Sequence, residues 1–305
     1  MLIILGATAV GKTRLAVALA DEMDGEIISA DSRQIFRGMD VGTGKDLNEY
    51  ELDHRQIPFH LINIRDAGEK YHVNAFKEDF YDAFSEITNR NKLPILCGGT
   101  GMYIHSLLQH HEFTAVPVNE TLRTALQVKS KQQLQQMLVG YPEKLRANAD
   151  FSSTKRLIRA IEIATYLNKH ELEQKTWPEF HPLVIGLHTE VEVRRSRILA
   201  RLAYRLDHGL IEEVEGLIKH GVSASALSFY GLEYKFVVSY LAGELTKAAL
   251  KEKLGIAICQ FAKRQQTFFR KMEKDGVKIN WIAADQDFSQ AKDKALELVK
   301  ANLMK

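Results

Sequence analysis

A glycine-rich loop near the start of the chain constrains its fold more than any other feature. Residues 6–13 read Gly-Ala-Thr-Ala-Val-Gly-Lys-Thr and match the P-loop pattern G-x-x-x-x-G-K-[ST]. In such a loop the backbone N–H groups surround phosphate oxygens, the lysine adds an ammonium, and the threonine hydroxyl can bind Mg²⁺. An apolar run precedes the loop and an amphipathic helical pattern follows it, as the motif requires. We therefore predict a phosphate site made of Gly6, Ala7, Thr8, Ala9, Val10, Gly11, Lys12 and Thr13, with Thr13 as the ligand of a Mg²⁺ cofactor.

Short apolar runs alternate with longer stretches of helical periodicity along most of the chain. The runs are apolar on consecutive positions, at residues 1–5, 26–29, 60–64, 93–97, 183–187 and 277–282. Such runs are typical of strands that are covered on both faces. Helical patterns separate them, at residues 13–23, 73–90, 102–109, 192–220 and 247–274. This alternation predicts an α/β fold, with a P-loop NTPase-like parallel sheet flanked by helices.

The alternation stops between residues 118 and 180, where the pattern is helical throughout. Helical segments are predicted at residues 120–129, 131–138 and 154–168. In the last of them, apolar side chains recur at helical spacing, at Leu157, Ile158, Ile161, Ala164 and Leu167. We therefore predict an inserted all-helical domain at residues 113–180, within a core formed by residues 1–112 and 181–305.

Composition and charge narrow the class of protein further. The formal net charge is only +2, so an RNA-binding surface would have to come from local clusters of Lys and Arg. The two cysteines, Cys97 and Cys259, are far apart, which excludes a disulfide framework or zinc ribbon and suits a reducing cytoplasm. Neither a signal peptide nor an apolar stretch of the ~20 residues that a membrane span needs is recognisable. We expect a cytoplasmic monomer that does not enter a membrane.

Two further clusters follow predicted strands. Asp31-Ser32-Arg33-Gln34 opens the segment 31–45, and Gly98-Gly99-Thr100-Gly101 follows the strand at 93–97. In an open α/β sheet, the carboxyl ends of the strands face the ligand crevice. Asp31 could accept a proton or hold a metal there, or it could simply cap a turn. Thr100 could donate a hydrogen bond to a ligand oxygen, although a helix-start turn would explain the glycines alone.

Together with the P-loop, these clusters resemble the tRNA dimethylallyltransferase family. The family combines G-x-T-x-x-G-K-[ST], D-S-x-Q-[IV]-[YF]-[RK]-x-M-D-[IV]-G-T-x-K and G-G-T-x-x-Y, and all three stand here in order and nearly intact. Residues 155–162 resemble its basic R-x-x-R-A-[LI]-E helix, and residues 263–270 resemble its K-R-Q-x-T-[WF]-[FL]-R stretch. The similarity therefore spans nearly the whole chain.

The resemblance implies a reaction and roles for individual residues. In this family the P-loop binds the pyrophosphate of dimethylallyl diphosphate, and N6 of the adenosine 3′-adjacent to the anticodon attacks the allylic carbon. The implied catalytic residues are Asp31 as general base, Thr100 at the departing oxygen, and the cations Lys12 and Arg197. Contacts with the anticodon stem-loop of tRNA are implied for Asp31, Ser32, Arg33, Gln34, Tyr103, Arg123, Lys155, Arg156, Arg159, Lys263, Arg264, Gln265, Thr267 and Arg270.

Arg197 belongs to a row of arginines that share one helix face, with Arg194, Arg201 and Arg205. By similarity, Arg197 aligns with the family's pyrophosphate-binding arginine, whereas we expect Arg194 and Arg205 to form a solvated charged face.

Two departures from the family pattern leave alternatives open. Asp-Phe-Ser-Ser at 150–153 replaces H-P-N-D, and Gly-Leu-Glu-Tyr-Lys at 231–235 replaces G-Y-[KR]-[EQ]. Both lie in parts of the chain that would bind RNA. They therefore bear on the prediction of the acceptor more than on the prediction of the reaction. Prenyl transfer to another adenine acceptor, such as free adenylate or another RNA, remains an alternative. A P-loop kinase of small molecules that consumes ATP is the second one.

Overall fold

A computed structural model describes residues 1–109, 112–147, 149–172, 175–285 and 287–303. The chain divides into two compact units. The first comprises Met1–Gln109 and Pro178–Lys305, and the second comprises His110–Trp177. The bounds of the second unit lie three residues before those expected for the helical insertion at both ends.

The first unit contains a six-stranded sheet in which every pair of neighbouring strands is parallel. The strands are β1 (Leu2–Gly6), β2 (Gly25–Ser29), β3 (Phe59–His60), β4 (Leu93–Gly98), β5 (Leu183–His188) and β6 (Asn280–Ala283). Their order is β3-β2-β4-β1-β5-β6, so β4 lies between β1 and β2. The three predicted clusters follow β1, β2 and β4, and they therefore meet at the carboxyl ends of these parallel strands. This architecture confirms the predicted fold class.

Helices cover the sheet and make up the second unit. In chain order they are α1 (Lys12–Glu22), α2 (Val73–Asn89), α3 (Gly101–Leu108), α4 (Glu120–Gln127), α5 (Lys131–Val139), α6 (Glu143–Arg146), α7 (Thr154–Leu167), α8 (Val191–Asp207), α9 (Leu210–Lys219), α10 (Ala224–Tyr230), α11 (Leu232–Leu241), α12 (Lys247–Lys274) and α13 (Phe288–Leu303). No helix in the described part of the chain is both long and apolar enough to cross a membrane.

Local backbone geometry explains where the elements differ from the predicted ones. The helix predicted at 192–220 is broken into α8 and α9 by Gly209, whose φ of +99° lies in the left-handed region. The third strand is short and does not extend over 60–64, because Leu61 and Asn63 adopt φ values of +60° and +58°. Helices α6, α10, α11 and α13 were not predicted.

The second unit is held together by a small apolar core and by defined helix starts. Its core side chains come from α4, α5 and α7, with Leu134, Leu157 and Ile161 fully buried. Ser130 and Gln133 form a capping box at the start of α5. Ser153 accepts a hydrogen bond from the Arg156 N–H and begins α7, so the residue that departs from the family pattern serves as a helix cap.

Candidate active site

A cavity of about 480 Å³ in the first unit brings the predicted clusters together. Most of the P-loop lines it, from Thr8 to Thr13. Asp31 and Gln34 line it after β2, and Cys97 and Gly98 line it at the end of β4. Helix α8 contributes two arginines. At the carboxyl ends of the strands, the Asp31 carboxylate and the P-loop therefore face the same cavity.

The P-loop has the backbone geometry that its motif demands. Gly11 adopts φ +85° and begins α1, and Ala9 adopts the rarely populated value of +65°. Gly6 packs so closely that a Cβ there would lie 2.7 Å from the Leu187 carbonyl oxygen. The Lys12 ammonium folds back and donates to the Ala7 carbonyl at 2.8 Å. Burial lowers the pKa of Lys12, and a bound anion would offset that effect.

Gln265 on α12 links the P-loop to the glycine loop after β4. Its Oε1 accepts from the Thr8 N–H at 2.9 Å, and its Nε2 donates to the Gly99 carbonyl at 2.9 Å. The side chain is buried, and both of its polar atoms are used within the chain. Gln265 therefore fixes the distance between two loops that border the cavity, and its implied contact with tRNA stays a prediction.

Asp31 and Thr100 meet through the turn that follows β2. The Asp31 Oδ1 accepts from the Arg33 N–H at 3.0 Å, so the capping alternative holds for one oxygen. No donor of the described chain bonds its second oxygen. The Thr100 hydroxyl accepts from the Ser32 N–H at 3.0 Å and donates to the Ser32 Oγ at 3.3 Å. Thr100 therefore holds the turn that carries Asp31, and its contact with a departing oxygen stays a prediction.

The arginines of α8 are more deeply placed than the sequence suggested. Arg197 and Arg201 both line the cavity, and Arg201 donates to the Thr8 hydroxyl at 2.5 Å. The expectation of a solvated face was wrong for Arg194 and Arg205, which are only 9% and 7% exposed. Arg205 pairs with Asp46 at 3.3 Å. Sequence reasoning assigned no role to Arg201, although its spacing of four from Arg197 places the two on one helix face.

The cavity also contains carboxylates that sequence reasoning missed. Asp46 directly precedes the 3-10 turn Leu47–Tyr50, Glu49 lies within that turn, and both line the cavity. Burial, reinforced by the neighbouring Asp46, raises the pKa of Glu49. The Thr13 hydroxyl and Asp31 line the same cavity, and both Asp46 oxygens accept hydrogen bonds from Arg205 at 3.4 and 3.3 Å. No cluster of three or more ligating side chains exists in the described ranges, so a metal here would also need oxygens from a bound phosphate.

Most of the long motif at residues 31–45 serves to hold its own loop. The Lys45 ammonium is buried and donates to the Phe36 carbonyl at 2.6 Å and to Asp40 and Asn63 at 2.5 Å each. The Glu213 carboxylate accepts from three consecutive N–H groups, of residues 40, 41 and 42, at 2.6, 2.7 and 2.9 Å. The Tyr234 hydroxyl donates to the same carboxylate at 2.7 Å. Asp40, to which the sequence assigned no chemistry, therefore has a structural partner.

The other predicted tRNA contacts of the first unit fall into two groups. Gln34 and Tyr103 are engaged inside the unit: the Gln34 amide bonds Ser29 and Gly44, and the Tyr103 ring stacks on Phe76 at 4.2 Å. The Arg33 guanidinium lies over the Phe261 ring at 5.0 Å. Exposed side chains on α12 form the second group, with Lys263, Arg264, Thr267 and Arg270.

In the second unit, Glu162 organises two of the predicted cations. Arg123 makes two hydrogen bonds to this buried carboxylate at 3.0 and 2.9 Å, and Arg159 pairs with it as well. Arg159 also donates to the carbonyls of Phe113 and Val116 at 3.0 and 2.8 Å. Arg156 pairs with Asp150 at 2.7 Å, whereas Lys155 is exposed. The structure therefore uses Arg123 and Arg159 to hold the unit together.

Two family models match the sequence, one described as IPP transferase over residues 34–272 and one described as Isopentenyl transferase over residues 1–62. A protein of Porphyromonas gingivalis named tRNA dimethylallyltransferase 2 is 48% identical over 302 residues, with 99% of this chain and 100% of the relative covered. A Phocaeicola vulgatus protein of the same name is 46% identical over 299 residues, covering 98% and 97% of the two chains.

Solved structures share the whole fold. The full-length tRNA isopentenylpyrophosphate transferase of Bacillus halodurans superimposes with a TM-score of 0.72 at 29% identity, covering 99% of this chain and 96% of that one. A eukaryotic dimethylallyltransferase acting on tRNA reaches a TM-score of 0.75 at 21% identity, covering 99% and 77%, and shows likeness of fold alone.

The parallel sheet, the P-loop and the carboxylate that faces it define an α/β enzyme of the P-loop class. The matching family models and the full-length relatives identify the family within this class. The chain belongs to the tRNA dimethylallyltransferase family, the IPP transferases, and the resemblance inferred from its motifs is confirmed.

Proposed function

We propose that the protein transfers a dimethylallyl group from dimethylallyl diphosphate to N6 of the adenosine 3′-adjacent to the anticodon of tRNA, with release of pyrophosphate. One observation carries the proposal: Asp31 and the P-loop line the same cavity, so a base and a leaving-group site face each other. Similarity over the full length to proteins named tRNA dimethylallyltransferase supports the choice of transferred group and acceptor.

In the proposed reaction a carbon–nitrogen bond replaces a carbon–oxygen bond. The N6 lone pair attacks the allylic carbon, the bond from that carbon to the diphosphate oxygen breaks, and its electron pair leaves with pyrophosphate. Asp31 accepts the N6 proton. Negative charge builds on the leaving group, so the loop amides, Lys12, Arg197 and Arg201 stabilise it electrostatically. Thr100 would serve as a further donor by exchanging Ser32 for the departing oxygen.

Mg²⁺ is the cofactor in this proposal, with Thr13 as its side-chain ligand from the P-loop. The ion would neutralise charge on the diphosphate when it is bound. The remaining ligands would be oxygens of the diphosphate and water molecules, which Mg²⁺ usually keeps.

The tRNA acceptor requires the adenine to leave the anticodon stack and enter the cavity. Lys263, Arg264 and Arg270 on α12 and Lys155 are exposed and are the side chains best placed to contact RNA phosphates, because no carboxylate of the described residues pairs with them. Arg123 and Arg159 support the insertion in this proposal rather than touch RNA. Action as a monomer in the cytoplasm is part of the same proposal.

The test is an assay of the full chain with labelled dimethylallyl diphosphate, Mg²⁺ and total tRNA, followed by digestion to nucleosides. We expect label in an N6-prenylated adenosine. The near-isosteric Asp31→Asn variant should lower turnover at least ~10²-fold and leave tRNA affinity largely unchanged. Label that enters AMP but not tRNA would favour the free-adenylate alternative. ATP hydrolysis without any prenyl transfer would favour the kinase and refute the proposal.

A further inference from the structure

A second cavity, of about 470 Å³, lies in the first unit beyond the end of β5. Its lining comes from the end of β5, the start of α8, the C-terminal part of α12 and β6, with Thr189, Arg194, Gln266, Arg270 and Trp281 among its residues. In the described part of the chain it shares no lining residue with the cavity over the P-loop. The proposed reaction therefore leaves this space without a role.

Three polar side chains in this cavity lack partners. The Thr189 hydroxyl and the Gln266 Oε1 are buried and make no hydrogen bond. Thr189 is only 6% exposed, and Arg194 is only 9% exposed. Within the described ranges, no acceptor hydrogen-bonds the Arg194 guanidinium and no carboxylate pairs with it. Leaving a buried hydroxyl or amide oxygen unpaired is costly, so the Thr189 and Gln266 atoms indicate a missing partner, and Arg194 places a cation without an ion-pair partner in the described chain beside them.

The carboxylates nearby do not supply that partner. Glu273 lines the cavity, but its Oε1 accepts from the Trp281 indole N–H at 2.8 Å. Glu190 is exposed at the start of α8, where its own N–H bonds Asp285 at 2.9 and 3.0 Å. Both acidic groups therefore line the cavity without pairing with Arg194. We call the three remaining polar side chains, Arg194, Thr189 and Gln266, the floor of the cavity.

The floor offers hydrogen-bond donors. Arg194 has five N–H groups, the Thr189 hydroxyl can donate, and the Gln266 amide can present its NH₂ group after a half-turn about its last bond. The exposed Arg270 adds a second guanidinium at the mouth. Two guanidinium groups and two neutral donors line one cavity, and they match the oxygens of a phosphate, which arginine binds in a bidentate manner.

We propose that this second cavity binds a phosphate group. The group can be a backbone phosphate of the RNA acceptor or free phosphate in solution. The RNA source rests on the proposed function, whereas binding of free phosphate does not.

Trp281 provides a direct readout, because it lines the cavity and the chain has only two tryptophans. The full chain carrying Trp177→Phe is titrated with inorganic phosphate while Trp281 fluorescence is followed. We expect a saturable change whose midpoint rises at least ~10-fold in Arg194→Gln and also rises in Thr189→Val. The matched control Arg195→Gln, exposed on the same helix, should titrate like the parent. Lys12→Ala should leave the signal intact, which separates this cavity from the P-loop.

The salt dependence of tRNA affinity distinguishes RNA phosphate from free phosphate as the ligand. The melting temperature shows whether the Arg194 variant is folded. If RNA supplies the phosphate, the plot of log tRNA affinity against log salt loses about one from its slope in Arg194→Gln. If free phosphate is the ligand, that slope is unchanged while the Trp281 response is lost. Arg194→Gln should melt no lower than the parent, because within the described residues the Arg194 side chain makes no hydrogen bond or ion pair that the change would remove. The proposal is overturned if neither the Trp281 titration nor the tRNA salt slope depends on Arg194. Because phosphate titration needs no prenyl transfer, its failure is distinct from failure of the proposed function.

Discussion

Replacing Gln265 by leucine tests whether the link between the P-loop and the glycine loop supports both stability and catalysis. The change keeps an apolar body of similar length in a buried position and removes both amide bonds. The Thr8 N–H then loses its acceptor, and the Gly99 carbonyl loses its donor. No proposed substrate contact is removed, so any kinetic effect would arise through the position of the two loops.

The magnitude follows from the burial of the two orphaned groups. A buried backbone group without a partner costs about 1–3 kcal/mol. The bond at Gly99 is fully buried, whereas that at Thr8 is part-buried beside the cavity, where water can replace the lost acceptor. We expect a loss of about 2–4 kcal/mol in the free energy of unfolding. At roughly 2–4 °C per kcal/mol for a domain of this size class, the melting temperature should fall by roughly 5–15 °C.

Steady-state kinetics supply the second measurement. With the P-loop no longer held at Thr8, kcat/KM for dimethylallyl diphosphate should fall roughly 10- to 100-fold, because small errors in position weaken stabilisation of the leaving group. The matched control is Gln260→Leu, the same substitution at an exposed position of α12, which should change neither quantity. Wild-type melting and wild-type kinetics in Gln265→Leu would refute the reasoning.

Three further predictions rest on charged groups. Because burial lowers the pKa of Lys12, pyrophosphate affinity measured by calorimetry should fall as the pH rises through an alkaline range below the usual lysine pKa, and Lys12→Arg should move that fall to higher pH. Burial opposes ionisation of Glu162, but bonds from Arg123 and the Asn119 amide outweigh it and lower its pKa. Its stabilising effect is therefore present above the unfolded carboxyl pKa and lost as the pH falls through the folded one, so acid melting curves of Glu162→Gln should converge with those of the parent. Lys155→Ala should weaken tRNA binding and lower its salt slope by about one in filter-binding assays, and an unchanged slope would remove Lys155 from the RNA surface.

The parts of the fold that could be predicted are those with a strong local signal. A strand covered on both faces must be apolar at every position, so 93–97 and 183–187 could be located within a residue of β4 and β5. The break at Gly209 was missed because the hydrophobic pattern continues across it, and a glycine inside such a pattern is often tolerated. Helices α10 and α11 were missed because they are short and depend on tertiary packing, as the fully buried Tyr234 shows.

In the candidate site, too, some residues could be predicted from a local signal and others could not. The P-loop and Asp31 could be predicted because a local motif at a strand end determines their position. Gln265 was assigned to RNA because it stands in the stretch 263–270 that resembles a family motif, and nothing local indicates that it reaches Thr8, 257 positions away. Arg194 was assigned to a solvated face for a comparable reason. Spacing shows which residues share a helix face, but it does not show whether that face is covered.

The long motif after β2 shows why recognition of a motif and assignment of its chemistry are separate steps. Of its charged residues, Asp31 alone faces the cavity with an oxygen that no donor of the described chain occupies, while Asp40 and Lys45 bond each other. The Glu213 carboxylate then fixes the loop through three N–H groups, and Thr43 and Gly44 of this loop line the cavity. A general base is effective only when it is held within a fraction of an ångström of the position from which it can accept the proton. That precision requires a rigid support. Most residues of the motif therefore serve to keep the segment beside Asp31 rigid. Only one carboxylate of the motif, that of Asp31, has a role in the proposed reaction.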